Sequence, residues 1–383
     1  MSVTVARGFL AAGVAAGLKS SGSKDVALVV NEGPLNSAAA VFTTNRALAN
    51  PVLWSKQAIA DGQLSAVVLN SGGANCYTGP EGFQTTHATA EKVAELLEIS
   101  AGDVLVCSTG LIGAQLDRNK VLAGVGSAVA ELNHQGGEAA AEAIMTTDSK
   151  PKLAWHTQDG WSIGGIAKGA GMLAPGLATM LVVLTTDAVI DSRELDAALR
   201  EACKVSFDRL DSDGCMSTND TVSIMASGAS EIAPSENEFQ KVLTAVCTDL
   251  AMQLLSDAEG SSHDIAIKVV SAATEADAIE VGRSVARNNL FKAAIYGNDP
   301  NWGRILAAVG TTKAVFDPYD IDVSINGVRV SAKGQPDASR DLVDLKPRKV
   351  EIEIALNSGA HSATIFTNDL THEYVEENSA YSS

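Results

Sequence analysis

The stretch GIAKGAGMLAPGLATMLVVLTTDA, Gly165 to Ala188, joins a glycine-studded polar segment to an apolar, β-rich run. Met180 to Leu184 reads MLVVL, without alternation of apolar and polar residues. A strand of that pattern is buried on both faces. Strands are predicted over 161–167 and 179–186, flanking the glycine segment. Thr179 puts a hydroxyl at the mouth of the second strand, behind a loop that carries Lys168.

Outward from this junction the chain mixes helices and hairpins. Ala90, Val93, Ala94 and Leu97 follow helical spacing, so a helix is expected over 84–99. DVLVCSTG reads as a short buried strand ending in a turn at Ser108-Thr109-Gly110. Helices are expected over 120–132 and 193–203. Ser235 and Glu238 form a capping box for a helix that ends near Ser256. Toward the C-terminus the period becomes two. Ile321, Val323 and Ile325 alternate, Asn326-Gly327 marks a type I′ hairpin, and Val350, Ile352, Ile354 and Leu356 alternate again. The expected fold class is α/β (α+β), layered, with antiparallel sheets rather than a regular βαβ series.

The chain has 383 residues, 46% of them hydrophobic and 19% charged, enough for a large core. That size allows two or three domains or one large α/β unit. The net charge of −18 repels nucleic acid and anionic membranes. No segment reaches the ~18 apolar residues of a bilayer span. The N-terminal MSVTVARGFLAAGVAAGLK is rich in Gly and Ala rather than Leu, so no secretion signal is expected. The five cysteines are widely spaced, with no C-x-x-C, which fits a cytoplasmic protein. Cys107 closes an apolar run and reads as a small buried hydrophobe.

Familiar ligand motifs fail here. Lys168 follows Ala167 and precedes Gly169, the reverse of a phosphate loop. DSDGCMSTNDTV (Asp211 to Val222) has Met216 and Val222 where a calcium loop needs Gly and Glu. The six histidines show no metal-ligand spacing, so neither metal nor cofactor is expected. Thr179 then lacks a neighbouring base. A threonine can use its own α-amine as base once the chain is cut before it. That amine titrates near ~7.7–8.0, whereas a lysine titrates near ~10.4. Pattern alone leaves the alternative open: Thr179 is simply a β-favouring residue opening a strand.

KGAGMLAPGLATML (Lys168 to Leu181) closely resembles the self-cleavage motif of the ornithine acetyltransferase (glutamate N-acetyltransferase) family. The resemblance runs through GFLAAGVAAGLK, STGLIG (Ser108 to Gly113), AIMTTD (Ala143 to Asp148), STNDT (Ser217 to Thr221), DPNWGR (Asp299 to Arg304) and the C-terminal NSAYSS. It implies a precursor that cuts itself between Ala178 and Thr179, giving chains 1–178 and 179–383. It implies a helix–sheet–sheet–helix sandwich resembling the N-terminal-nucleophile type. The implied reaction is ping-pong transfer of acetyl from N2-acetylornithine to glutamate through an acetyl-threonine. The implied partners are these small molecules, with acetyl-CoA left open as a second donor, and an assembly of two copies of each processed chain.

The same resemblance assigns residues. Thr179 is the nucleophile, with Thr109 and Gly110 as the oxyanion hole. Thr147 (favoured over its neighbour Thr146), Lys168, Thr179, Glu259, Asn378 and Ser383 are the substrate contacts. Glu259 follows a helix C-terminus, where the dipole disfavours an anion, which points to a role such as pairing an ammonium. Departures from the family pattern fall at Gly73, Ala258, Cys215, Met216 and His263, and bear on substrate preference more than on the reaction. Two other readings stay open. One is an N-terminal-nucleophile amidase or aminopeptidase, in which water resolves the acyl-enzyme. The other is a non-catalytic metabolite-binding protein.

Overall fold

The computed structural model describes residues 2–174 and 180–380. The strands are β1 (Phe9–Val14), β2 (Val26–Asn31), β3 (Ser37–Phe42), β4 (Ala66–Asn70), β5 (Val104–Ser108), β6 (Lys152–Gln158), β7 (Trp161–Lys168), β8 (Leu181–Thr186) and β9 (Thr221–Ala226), followed by β10 (Asp264–Ala272), β11 (Asp322–Ile325), β12 (Val328–Ala332), β13 (Gln335–Pro336), β14 (Lys349–Ala355) and β15 (His361–Asn368). The helices are α1 (Asn50–Ala58), α2 (Gly79–Leu97), α3 (Arg118–Ala130), α4 (Gly137–Ile144), α5 (Ser192–Val205), α6 (Glu236–Ser256), α7 (Glu275–Ala286), α8 (Asn289–Tyr296), α9 (Trp302–Val309) and α10 (His372–Ala380).

The strand order β1-β2-β4-β5 forms one sheet and β3-β9-β8-β7-β6 a second. These two sheets face each other. Alternate residues of each strand point into the shared core, as the two-residue period of a strand requires. Leu181 and Val183 of β8 join Val29, Val67 and Leu105 between the sheets. Val182 and Leu184 point the other way, against Leu195 and Leu199 of α5 and Leu243 and Leu250 of α6. On the far side of the first sheet, Val26, Leu28 and Val68 pack on Val93 of α2 and Val125 of α3. The result is the expected helix–sheet–sheet–helix sandwich. A further sheet, β13-β12-β11-β14-β10-β15, packs one face on α7, α8 and α9.

The expectation of antiparallel sheets needs correction. β4 pairs β5, β8 pairs β9 and β10 pairs β14 in parallel. Parallel neighbours need a crossover. α2 supplies it between β4 and β5, and α5 lies between β8 and β9. Short apolar runs carry no sign of strand direction, so this was hidden in the sequence. Element ends also differ from the expected 84–99, 120–132 and 193–203. α2 starts earlier at Gly79, with Pro at its first turn, and α3 starts at Arg118, because Asp117 accepts from the Asn119 and Lys120 N–H groups as its cap. α5 runs Ser192–Val205 from an Asp191 cap. The capping box at Ser235 and Glu238 and the end of α6 at Ser256 are as expected. Asn326 and Gly327 both take positive φ, the type I′ geometry. Among the described residues no helix is long and apolar enough to cross a membrane.

Candidate active site

β5 ends at Ser108 and β7 at Lys168, and both ends open on one cavity of about 180 Å³. Thr109, Gly110, Thr147, Lys168, Glu259 and Asn378 line it together. These residues span most of the chain, and the sandwich gathers them at one end of its strands. Thr179, Ala178 and Ser383 lie outside the described residues. Their neighbour Met180 enters β8 with its N–H donating to Asp220 Oδ1 at 3.1 Å.

The Thr109–Gly110 turn is held from behind. Thr109 N–H donates to the Asn70 carbonyl (2.9 Å), and Gly73 N–H donates to the Thr109 carbonyl (3.0 Å). Gly110 has φ +121°, and an added Cβ would sit 2.9 Å from Gly73 N. Both conditions require glycine there. Lys168 is buried, and its Nζ donates to Thr109 Oγ1 at 3.2 Å. An oxygen that accepts from the ammonium keeps its own proton for another acceptor. The Thr109 hydroxyl can thus donate into the cavity. Burial pushes the Lys168 ammonium below its ordinary range, with Lys152 adding to this and Asp148, Asp220 and Glu259 opposing it. Burial also pushes the Asp220 carboxyl well above its ordinary range.

Glu259 is oriented by neutral donors. Thr147 Oγ1 donates to its Oε1 (2.8 Å), and Asn378 Nδ2 donates to its Oε2 (2.9 Å). Its own N–H donates to the Ala170 carbonyl at 3.0 Å. Gly171 passes close over this carboxylate: an added Cβ would lie 2.3 Å from Oε2. Asn378 belongs to α10, so the C-terminal helix closes over the cavity rather than fraying. Buried Lys152 bridges Asp148 and Asp257. Asp148 also accepts from Thr146 N–H (2.9 Å) and Gly169 N–H (2.7 Å). One ion network therefore fixes the Thr146–Thr147 turn, the exit of β7 and the end of α6.

Sequence reasoning missed part of the lining. Ser217, Thr218 and Asn219 belong to a quoted motif without an assigned role, and Ala74, Ile112, Gly171 and Met172 also line the cavity, as does Thr146, the alternative to Thr147 in the same motif. The departing positions Gly73, Ala258, Cys215 and His263 do not line it. His263 is a structural tie: its Nδ1 meets Asp369 Oδ2 (2.7 Å) and its Nε2 meets the Leu345 carbonyl (2.9 Å). Cys107 is buried, and burial pushes its thiol up to about 12.

The family model for the ArgJ family matches residues 10–383. The arginine biosynthesis bifunctional protein ArgJ of Streptomyces avermitilis is 62% identical over 383 residues, covering 100% of both chains. The protein of the same name from Thermobifida fusca is 60% identical over 382 residues, again 100% of both. The solved ornithine acetyltransferase from Mycobacterium tuberculosis, complexed with ornithine, is 55% identical and covers 47% of this chain and 96% of that chain, with a TM-score of 0.45.

Proposed function

The chain belongs to the ArgJ family, and on that premise we propose that it is a self-processing acetyltransferase of arginine biosynthesis, moving acetyl from N2-acetylornithine to glutamate. The precursor cuts itself between Ala178 and Thr179 into chains 1–178 and 179–383. The new α-amine of Thr179 takes the proton of its own hydroxyl, and the oxygen attacks the acetyl carbonyl. Ornithine leaves. The glutamate amine then attacks the acetyl-threonine and regenerates the enzyme. Thr109 Oγ1–H and Gly110 N–H hold the oxyanion in each half-reaction. Glu259 pairs the substrate ammonium, and Lys168, Thr147, Asn378 and Ser383 complete the contacts. Acetyl-CoA is a second donor to be tested, and the working assembly is a heterotetramer of two copies of each processed chain.

The observation that carries this reading is the meeting of Thr109, Gly110, Thr147, Lys168, Glu259 and Asn378 in one cavity. The test is intact mass under denaturing conditions, then transfer assays with and without glutamate and with acetyl-CoA as donor. The wild type is expected as two fragments that gain one acetyl group from acetylornithine, and Thr179→Ala as one uncut, unacetylated chain. Release of free acetate at the same rate without glutamate would make the protein a hydrolase. An uncut wild type without acetyl adduct would leave a binding protein.

A further inference from the structure

Two adjacent residues at the entrance to β9 reach opposite halves of the site. Asn219 is buried, and its Nδ2 donates to the Ser108 carbonyl (2.8 Å) and to the Ala74 carbonyl (2.6 Å). Its Oδ1 accepts from Thr218 Oγ1 (2.6 Å), so its amide orientation is fixed. The Ser108 carbonyl belongs to the peptide that leads into Thr109. Ala74 N–H in turn donates to the Leu111 carbonyl, just beyond Gly110. Asn219 therefore grips the oxyanion turn from both flanks. Asp220, fully buried, accepts through Oδ1 from Met180 N–H, the N–H of the peptide joining residues 179 and 180. The hydroxyls of Ser217 and Thr43 also bear on this carboxyl and oppose the effect of burial. Thr221 N–H donates to the Met180 carbonyl (3.2 Å), so the entry of β8 is held on both sides of Met180.

We propose that Asn219 and Asp220 are positioning residues that together set the spacing between the oxyanion turn and the nucleophile: Asn219 fixes Thr109–Gly110, and Asp220 fixes Met180, the residue that leads into β8. This rests on the acetyl-transfer reading above. The two residues are joined by one rigid peptide, so the donors and the attacking oxygen share a single reference point. Displacement of reacting groups by about 1 Å costs on the order of 100-fold in rate. The pairing also crosses the proposed cut. Asn219 lies on the 179–383 side and Ser108 on the 1–178 side, so the later chain holds the oxyanion hole of the earlier one.

The test uses the full-length protein with four variants, each checked for a cooperative thermal transition. Asn219→Ala removes both donated bonds, and Asn219→Ser keeps a shorter hydroxyl donor at the same position. The expected order of kcat is wild type, then Ser, then Ala, with Ala down about 100-fold and KM for acetylornithine unchanged within about twofold. A purely structural role would lower the acetylatable fraction seen by intact mass and leave kcat per active site unchanged. That result, or a rise in KM alone, overturns the assignment of Asn219. Asp220→Asn keeps the shape and an acceptor oxygen, and Asp220→Ala does not. Cleavage is expected to proceed in Asp220→Asn and to slow in Asp220→Ala; equal cleavage in both overturns the assignment of Asp220. If the wild type itself neither cleaves nor transfers, the acetyltransferase reading fails and this inference falls with it. If the wild type works and the variants match it, only this inference falls.

Discussion

Thr109 and Gly171 are the residues at which single atoms set the geometry of the cavity. The Thr109 hydroxyl accepts from Lys168 Nζ at 3.2 Å and keeps its proton for the cavity. Thr109→Ala removes one of the two proposed oxyanion donors while leaving Gly110 N–H, so kcat should fall about 100- to 1000-fold with little change in KM. Steady-state kinetics over a range of acetylornithine checks this, and a change confined to KM would place Thr109 among the substrate contacts instead. Gly171 acts by absence. A methyl there would meet Glu259 Oε2 at 2.3 Å, while Thr147 and Asn378 hold that carboxylate from its other sides. Gly171→Ala should therefore displace Glu259 and raise KM roughly tenfold, with kcat nearly kept, because a contact made equally in ground and transition states is lost. Neither role was legible from spacing. Thr109, Thr147, Lys168, Glu259 and Asn378 were pointed to by likeness to a family motif. Asn219 was not, because its partners Ala74 and Ser108 lie 145 and 111 positions away and no local pattern announces them.

At the scale of elements, buried charges fasten one segment to the next. Lys152 on β6 binds Asp148 before it and Asp257 after α6, with all three side chains nearly or wholly buried. Removing one member strands the others in a medium of low polarity. Lys152→Met should cost about 3–5 kcal/mol, read as a lower denaturant midpoint. It should also raise KM, since Asp148 anchors Thr146 and Gly169. A second junction, outside the cavity, is set by Asp211. Its N–H donates to the Phe366 carbonyl of β15, and its Oδ2 accepts from Arg287 beyond α7. Burial outweighs Arg287 and pushes this carboxyl up to about 6, against about 3.9 in an unfolded chain. The folded state then binds the proton more tightly. Between those two values the folded protein holds more protons than the unfolded one, so stability falls as pH rises. The contribution is full below about pH 4, is lost as the pH approaches about 6, and is flat above. Asp211→Asn should remove that slope from a plot of unfolding free energy against pH. An unchanged slope would mean that Asp211 is ionised throughout. Strand existence was readable here and strand direction was not. The unbroken run at β8 announced two buried faces, and Leu181, Val182, Val183 and Leu184 divide between two cores as that requires. The parallel pairing of β8 with β9 depends on α5 packing back across the sheet, a tertiary fact that a short apolar run does not encode.

At the scale of the whole molecule, the proposed cut falls in the middle of a sheet rather than between domains. The order β3-β9-β8-β7-β6 alternates origins: β3, β7 and β6 precede residue 178, while β8 and β9 follow it. Backbone ladders therefore cross the two proposed chains twice, from Ser37↔Ala226 to Phe42↔Thr221 between β3 and β9, and from Ile163↔Thr186 to Lys168↔Leu181 between β7 and β8. The core between the sheets is shared in the same way, with Val29, Val67, Leu105 and Ile166 from one side packed with Leu181, Val183 and Met225 from the other. Each such side chain contributes about 1.5–3 kcal/mol when fully buried, so separation would expose a core on both pieces. The expected outcome is that the cleaved protein elutes as one species on native size-exclusion chromatography, at high as well as low salt, and unfolds in a single transition. The fragments should part only in denaturant. Salt is the informative variable, because an interface held by surface charge would weaken with screening and an interleaved sheet would not. Fragments that separate in salt, or melt at two temperatures, would show that cleavage divides the fold, and would refute a shared core as what keeps the proposed nucleophile and the proposed oxyanion turn together.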